Sequence, residues 1–235
     1  MNNPEQIWFN PVTNLVALLI GAALTYYVTW NFEKRREKRE QKAQAFALIF
    51  SLQRICNDLM QLTNVLRSIS IDRAQELASG VPLWQLMPIN FGWDDEIIIR
   101  PDELALLAGT RRNDLVIKVQ EASSAHRIYT RAATRVGELK LELMNSGLAA
   151  SATGEVVTFA ATETEFAGIA PITTQLEALC SKLGDDLAEA MHQATECASL
   201  VPPALKGHYK FAHLVGLVFD ELVTAEEANT KNPGG

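Results

Sequence analysis

Residues 11–30, PVTNLVALLIGAALTYYVTW, carry no charged side chain, and the next twelve, NFEKRREKREQK, carry six Lys or Arg. This pairing constrains the chain more than any other feature. Twenty residues of α-helix span about 30 Å, the thickness of a bilayer's hydrocarbon core. The polar members Thr13, Asn14, Thr25 and Thr29 lie towards the ends, and Leu15 to Leu24 is wholly apolar. Trp8 and Phe9 stand before the segment, and Tyr26, Tyr27 and Trp30 close it. Such rings favour the headgroup level, with the apolar body inward and the polar tip in water. A cleaved signal peptide would need a basic start, whereas this chain begins MNNPEQ. A buried soluble helix accounts for neither the interfacial aromatics nor the basic stop.

The direction of the span follows from the positive-inside rule. Lys34, Arg35, Arg36, Lys38, Arg39 and Lys42 all follow it, and residues 1–30 contain no Lys or Arg. The expected layout is a short extracytoplasmic N-terminus (1–10), a transmembrane helix (11–30), a basic juxtamembrane helix (31–42), a cytoplasmic helical bundle (43–225) and a flexible tail (226–235), in what reads as a bacterial inner membrane. Residues 43–235 hold 15 basic and 24 acidic side chains, and the whole chain is at −7. That balance argues against a nucleic-acid partner. The glutamates Glu33, Glu37 and Glu40 are interspersed in the basic island, which reads more simply as a stop-transfer flank with an Arg36–Glu40 pair than as a lipid-recognition site.

The fold class expected is all-α: a single N-terminal transmembrane helix continuing into an elongated antiparallel bundle with an irregular aromatic loop. No Pro or Gly occurs from Asn31 to Ser79. Ala45, Leu48, Leu52, Ile55, Leu59, Leu62, Leu66 and Ile69 alternate at spacings of three and four, a helical seam. A helix reaching from Trp30 to Ser70 would be about 60 Å long. Residues 79–101 contain Pro82, Pro88 and two glycines, which exclude a long helix there. Pro101 with Asp102 and Glu103 reads as a helix start and Gly109 as its end. A long helix is expected from about Arg111 to Asn145, with Leu115, Val119, Ala122, His126, Tyr129, Ala133, Val136 and Leu143 inward and Lys140 interrupting the stripe. Residues 147–161 read as a loop with a candidate strand at Val156–Phe159. Thr162 and Glu165 fit a capping box opening another helix, in which Pro171 makes a kink or a restart. Its stripe is Leu176, Cys180, Leu183, Leu187, Ala190, Ala194, Cys197 and Val201, and Pro202-Pro203 should stop it. A last helix is expected over Lys210 to Ala225.

Chemistry is harder to find. The glycine-rich nucleotide motifs, the hydrolase elbow and the common zinc spacings are missing, so no catalytic residue, metal ligand or cofactor is assigned. Glu189 and His192 form a half-site of the kind paired in di-iron bundles, but no second E-x-x-H exists. His126, within an apolar stripe, reads as a packed, hydrogen-bonded core residue. Cys56, Cys180 and Cys197 read as small buried hydrophobes in a reducing compartment.

The remaining candidates are surfaces. Trp8, Tyr26, Tyr27, Trp30, Lys34, Arg35, Arg36, Lys38 and Arg39 are the membrane-anchoring set. Ala17, Gly21 and Thr25 are candidates for close helix–helix contact, since small residues four apart let backbones approach. Trp84, Met87, Phe91 and Trp93 lie in one long loop and either plug the end of the bundle or bind a protein partner. The functional expectation is binding, scaffolding or sensing at the cytoplasmic face of a membrane, with lipid and either a protein partner or a second copy as partners. The alternatives are a membrane effector acting by oligomerisation and an enzyme with an unfamiliar, metal-dependent site.

Overall fold

The computed structural model describes residues 4–89, 96–146, 149–153, 156–159 and 163–210. Their regular elements are helices apart from one pair of short antiparallel strands, with irregular backbone between some of them, as at 87–89 and 96–100. The expected final helix and the tail therefore lie outside the described residues, except for Lys210. The chain divides into two compact units, Met1–Ala45 and Phe46–Gly235.

Helix α1 runs from Pro4 to Asp72. Its uninterrupted course beyond Trp30 reflects the lack of Gly and Pro there. The sides it exposes change along its length. Residues 14–30 are exposed all round. From Ala45 onward a stripe is buried: Ala45, Leu48, Leu52, Ile55, Leu59 and Leu62 are fully buried and Ile69 nearly so, with Leu66 half-buried. The three–four spacing thus marks one face of the helix, as expected of an amphipathic segment.

Helix α2 (Ala74–Ala78) is a single turn. Gly80, at φ +89°, ends it: the Val81 N–H reaches the Glu76 carbonyl at 3.0 Å and the Gly80 N–H that of Leu77 at 3.1 Å. This closing pattern needs a left-handed residue, which glycine supplies without a Cβ penalty. After Pro82 comes the short helix α3 (Leu83–Leu86).

Helix α4 (Pro101–Gly109) starts and ends where the sequence predicts. Its entry is held by Glu103, which accepts from the Arg100 backbone N–H at 3.1 Å and from Arg100 Nε at 3.0 Å while only 3% exposed. Arg111 takes up the left-handed conformation (φ 62°) between α4 and the long helix α5 (Asn113–Asn145). Every residue of the predicted α5 stripe is buried, and so is Lys140. Strands β1 (Ala149–Thr153) and β2 (Val156–Phe159) pair antiparallel with an irregularity between Ala149 and Ser151. The candidate strand at Val156–Phe159 is thus β2, and part of the expected loop before it, Ala149–Thr153, is the strand it pairs with.

Two helices complete the described fold: α6 (Glu163–Asp185) and α7 (Leu187–Tyr209). Here the structure departs from expectation. Pro171 interrupts nothing, and the single helix expected from 162 to 201 is two, divided at Asp186. Pro202-Pro203 does not stop α7, which continues to Tyr209. Two prolines deprive two carbonyls of their donors, a cost of about 3 kcal/mol per interior proline. Packing outweighs it: Val201, Pro202 and Leu205 are buried, and Tyr209 Oη donates to the Leu106 carbonyl at 2.8 Å. Lys210, expected to open a helix, instead closes α7 in the left-handed conformation (φ 52°).

Helix α5 is the centre of the second unit and packs against α4, α6 and α7. The part of α1 in this unit joins it through His126 and Asp58, 68 residues apart in sequence. All eight positions of the α6–α7 stripe are buried, across the break at Asp186.

Candidate functional site

The first unit is defined by what it exposes. Leu15, Leu18, Leu19, Ile20 and Leu24 are each more than half exposed, as are Tyr26, Tyr27 and Trp30. One helix of the described residues is long and apolar enough to cross a membrane by length and composition, and none of that apolar stretch is buried in the protein. Thr25 Oγ1 donates to the Gly21 carbonyl at 2.8 Å, which satisfies the hydroxyl inside its own helix. Tyr26 and Trp30, one turn apart, stack with ring centres 6.2 Å apart. Trp8 lies within α1, its side chain outside the described set. Ala17, Gly21 and Thr25 are all exposed, and a Cβ on Gly21 would meet nothing within 4 Å. Lys34, Arg35, Arg36, Lys38 and Arg39 are exposed on the same helix, with Arg36 Nε donating to Glu40 Oε1 at 2.8 Å.

The second unit holds a cluster that the sequence signalled only as an interruption. Lys140, 1% exposed, donates from Nζ to the carbonyls of Gln85 (3.2 Å) and Met87. Gln85 lies in the single turn of α3 and Met87 just beyond its end in extended backbone, so the ammonium meets carbonyls where the chain leaves the helix. One turn earlier, Gly137 leaves room for the Ile89 carbonyl, which a Cβ would strike. Gly137 and Lys140, three apart on one face of α5, therefore seat residues 85–89 together. Cys180 Sγ, on α6, lies 3.4 Å from Met87 Sδ. Burial pushes the Cys180 thiol up to about 12, opposed by the Lys140 ammonium. Trp84, Leu86 and Met87 are buried, whereas Phe91 and Trp93 lie outside the described residues.

His126 forms a second buried polar contact, its Nε2 at 2.8 Å from Asp58 Oδ2. It is 1% exposed, and its Nδ1 has no hydrogen-bond partner among the described residues. Glu189 and His192 are exposed on α7, and Glu189 accepts from Gln193 at 3.1 Å. His208 stands edge-on to Tyr209, and His213 is outside the described residues. Among the described residues no three His, Cys, Asp or Glu side chains are grouped to hold a metal ion. All three cysteines are free and buried.

Sequence reasoning missed Asp58 and Gly137, read Glu103 only as part of a helix start, and found Lys140 only as an anomaly. A lysine on an otherwise apolar stripe is a legible sign that an acceptor waits in the core. Which acceptor it meets depends on chain 53–55 residues away. Compared with family models, with curated proteins and with solved structures, the chain matches none.

Proposed function

We propose that this protein is anchored in a membrane by residues 11–30 and that its helical body serves in binding, scaffolding or sensing on the cytoplasmic side. The observation that carries the anchor is the all-round exposure of residues 14–30, whereas the second unit buries a continuous apolar core and exposes large apolar side chains only at scattered positions such as Phe50, Ile71 and Ile98. Burying apolar area is worth about 25 cal/mol per Å². A helix this apolar left in water forfeits that over most of its surface, whereas a bilayer supplies it. The basic residues after Trp30 support a cytoplasmic C-terminal side.

Binding rather than catalysis is supported by the work already done by the buried polar groups. Lys140 holds the 85–89 segment, His126 joins α5 to α1, and Glu103 caps α4. The burial of Trp84 and Met87 supports the plug reading of their loop over the partner-binding one. Oligomerisation through Ala17, Gly21 and Thr25 is a second reading, favoured by the open space at Gly21.

The anchor and its direction are tested by fractionation and by protease added to intact cells. The expected result is full-length chain in the membrane fraction, released by detergent alone, with residues beyond 43 protected. Full-length, unclipped chain in the supernatant without detergent would refute the anchor. Cleavage beyond residue 43 from outside would reverse the direction. For the second reading, crosslinking in membranes should trap a dimer that Gly21→Leu abolishes, and a monomer unchanged by that substitution counts against it.

A further inference from the structure

In sequence, the glutamates of the basic island alternate with its lysines and arginines; on the helix they separate. Residues 4–72 form one continuous α-helix, so residues four apart share a row. Lys34, Lys38 and Lys42 form one row, and Arg35 and Arg39 form the row beside it. Together they cover an arc of about 140° at 3.6 residues per turn. Glu33, Glu37 and Glu40 lie on the opposite side. Two of them have partners within the helix: Glu40 accepts from Arg36 Nε at 2.8 Å, and Glu37 accepts from Gln41 Nε2 at 3.2 Å, while Lys34, three residues before Glu37, marks the edge of the basic face. Lys34, Arg35, Lys38 and Arg39 are exposed and make no ion pair with the described residues.

We propose that this face binds anionic phospholipid headgroups. The inference rests on the membrane anchor of the preceding subsection. Lys34 and Arg35 rise only about 6–8 Å along the axis beyond Trp30, and Lys38 and Arg39 about 12–14 Å. The headgroup layer is about 5–8 Å deep on each side, and charges interact across a Debye length of about 8 Å beyond it. Side chains on an α-helix also lean towards its N-terminus, which here is the membrane side. Long Lys and Arg side chains on the second row of turns therefore reach back towards the surface. Tilting the helix towards this face brings all four cations closer to the headgroups and carries the glutamates away. A positive-inside flank requires only Lys and Arg close to the span, on any face; segregation onto one face adds a direction of tilt and a local demand for anionic lipid. Each cation near the surface is expected to favour anionic lipid about fivefold.

The full chain is tested in bilayers of one fixed mixture of phosphatidylcholine and phosphatidylglycerol, with a bromine quencher on either lipid. With Trp8 replaced by Phe in every chain tested, and Trp84 and Trp93 in the body beyond the basic segment, tryptophan quenching by the two labels reports which lipid surrounds Trp30, four residues before Lys34. The expected result is stronger quenching by brominated phosphatidylglycerol in dilute salt. The two should become equal at high salt, and also in the variant K34Q/R35Q/K38Q/R39Q. The control E33Q/E37Q/E40Q should keep the preference. Circular dichroism checks that both variants remain helical, as glutamine permits. Equal quenching by both labels in the native chain would overturn the proposal and leave the anchor standing. Absence of quenching by either label would overturn anchor and face together. Salt-sensitive self-association without lipid preference would overturn it in favour of the acidic body of a second copy.

Discussion

At the scale of single residues, two glycines in long helices should respond oppositely to alanine. Gly168 has open space at its Cβ position, so Gly168→Ala should stabilise by about 0.5–1 kcal/mol through helix propensity alone. Gly137 faces the Ile89 carbonyl, so Gly137→Ala should destabilise and loosen the 85–89 segment. Denaturant unfolding of the detergent-solubilised chain measures both, and equal signs would deny the close approach. Lys140→Met keeps the volume and loses the cation. With two carbonyls left without their charged donor, unfolding should become easier by about 1.5–3 kcal/mol in the same assay. A neutral result would mean that water or a backbone shift replaces the ammonium.

At the scale of elements, the cysteines report on the helix interfaces. Burial pushes the thiols of Cys56 on α1 and Cys180 on α6 up to about 12, and that of Cys197 on α7 to about 11. The sign follows from proton binding. Above pH 9 an unfolded chain releases these protons while the folded chain retains them. Their contribution to stability is therefore complete below about pH 9 and is lost as the pH rises towards 11–12. Unfolding curves taken across that range should show falling stability, and the fall should lessen when Cys56 is replaced by Ala. Helix α7 carries its own test. Pro203 is exposed in a helix that continues through it, so Pro203→Ala restores a backbone donor. A gain of about 2 kcal/mol is expected, reduced by the extra freedom of the unfolded chain. Loss of stability would show that α7 depends on the proline.

At the scale of the whole molecule, the two compact units predict separable behaviour. Residues 43–235 carry the buried face of α1 together with α5, α6 and α7. Expressed alone, this segment should be soluble and helical without detergent, whereas the full chain should require it. Size-exclusion chromatography and circular dichroism check this. A segment that aggregates or stays unfolded would mean that residues 1–42 contribute to its folding.

The sequence alone determined the one-dimensional facts. The apolar run, its basic flank, the seam from Ala45 to Ile69 and the stripes of α5, α6 and α7 were readable, because burial on a helix repeats every three to four residues whatever the neighbours are. Pro101 and Gly109 were readable as ends because helix termini are chosen by local backbone chemistry. Tertiary structure decided whatever depends on residues distant in the chain. It set Lys140 against the carbonyls of Gln85 and Met87, paired His126 with Asp58, and carried α7 through Pro202-Pro203 by packing stronger than the local preference to stop. It also decided Gly137, whose lack of a side chain matters only because Ile89 passes over it. Local periodicity carries no record of which partner a buried group will meet, and that meeting turns an interrupted stripe into a seat for a loop.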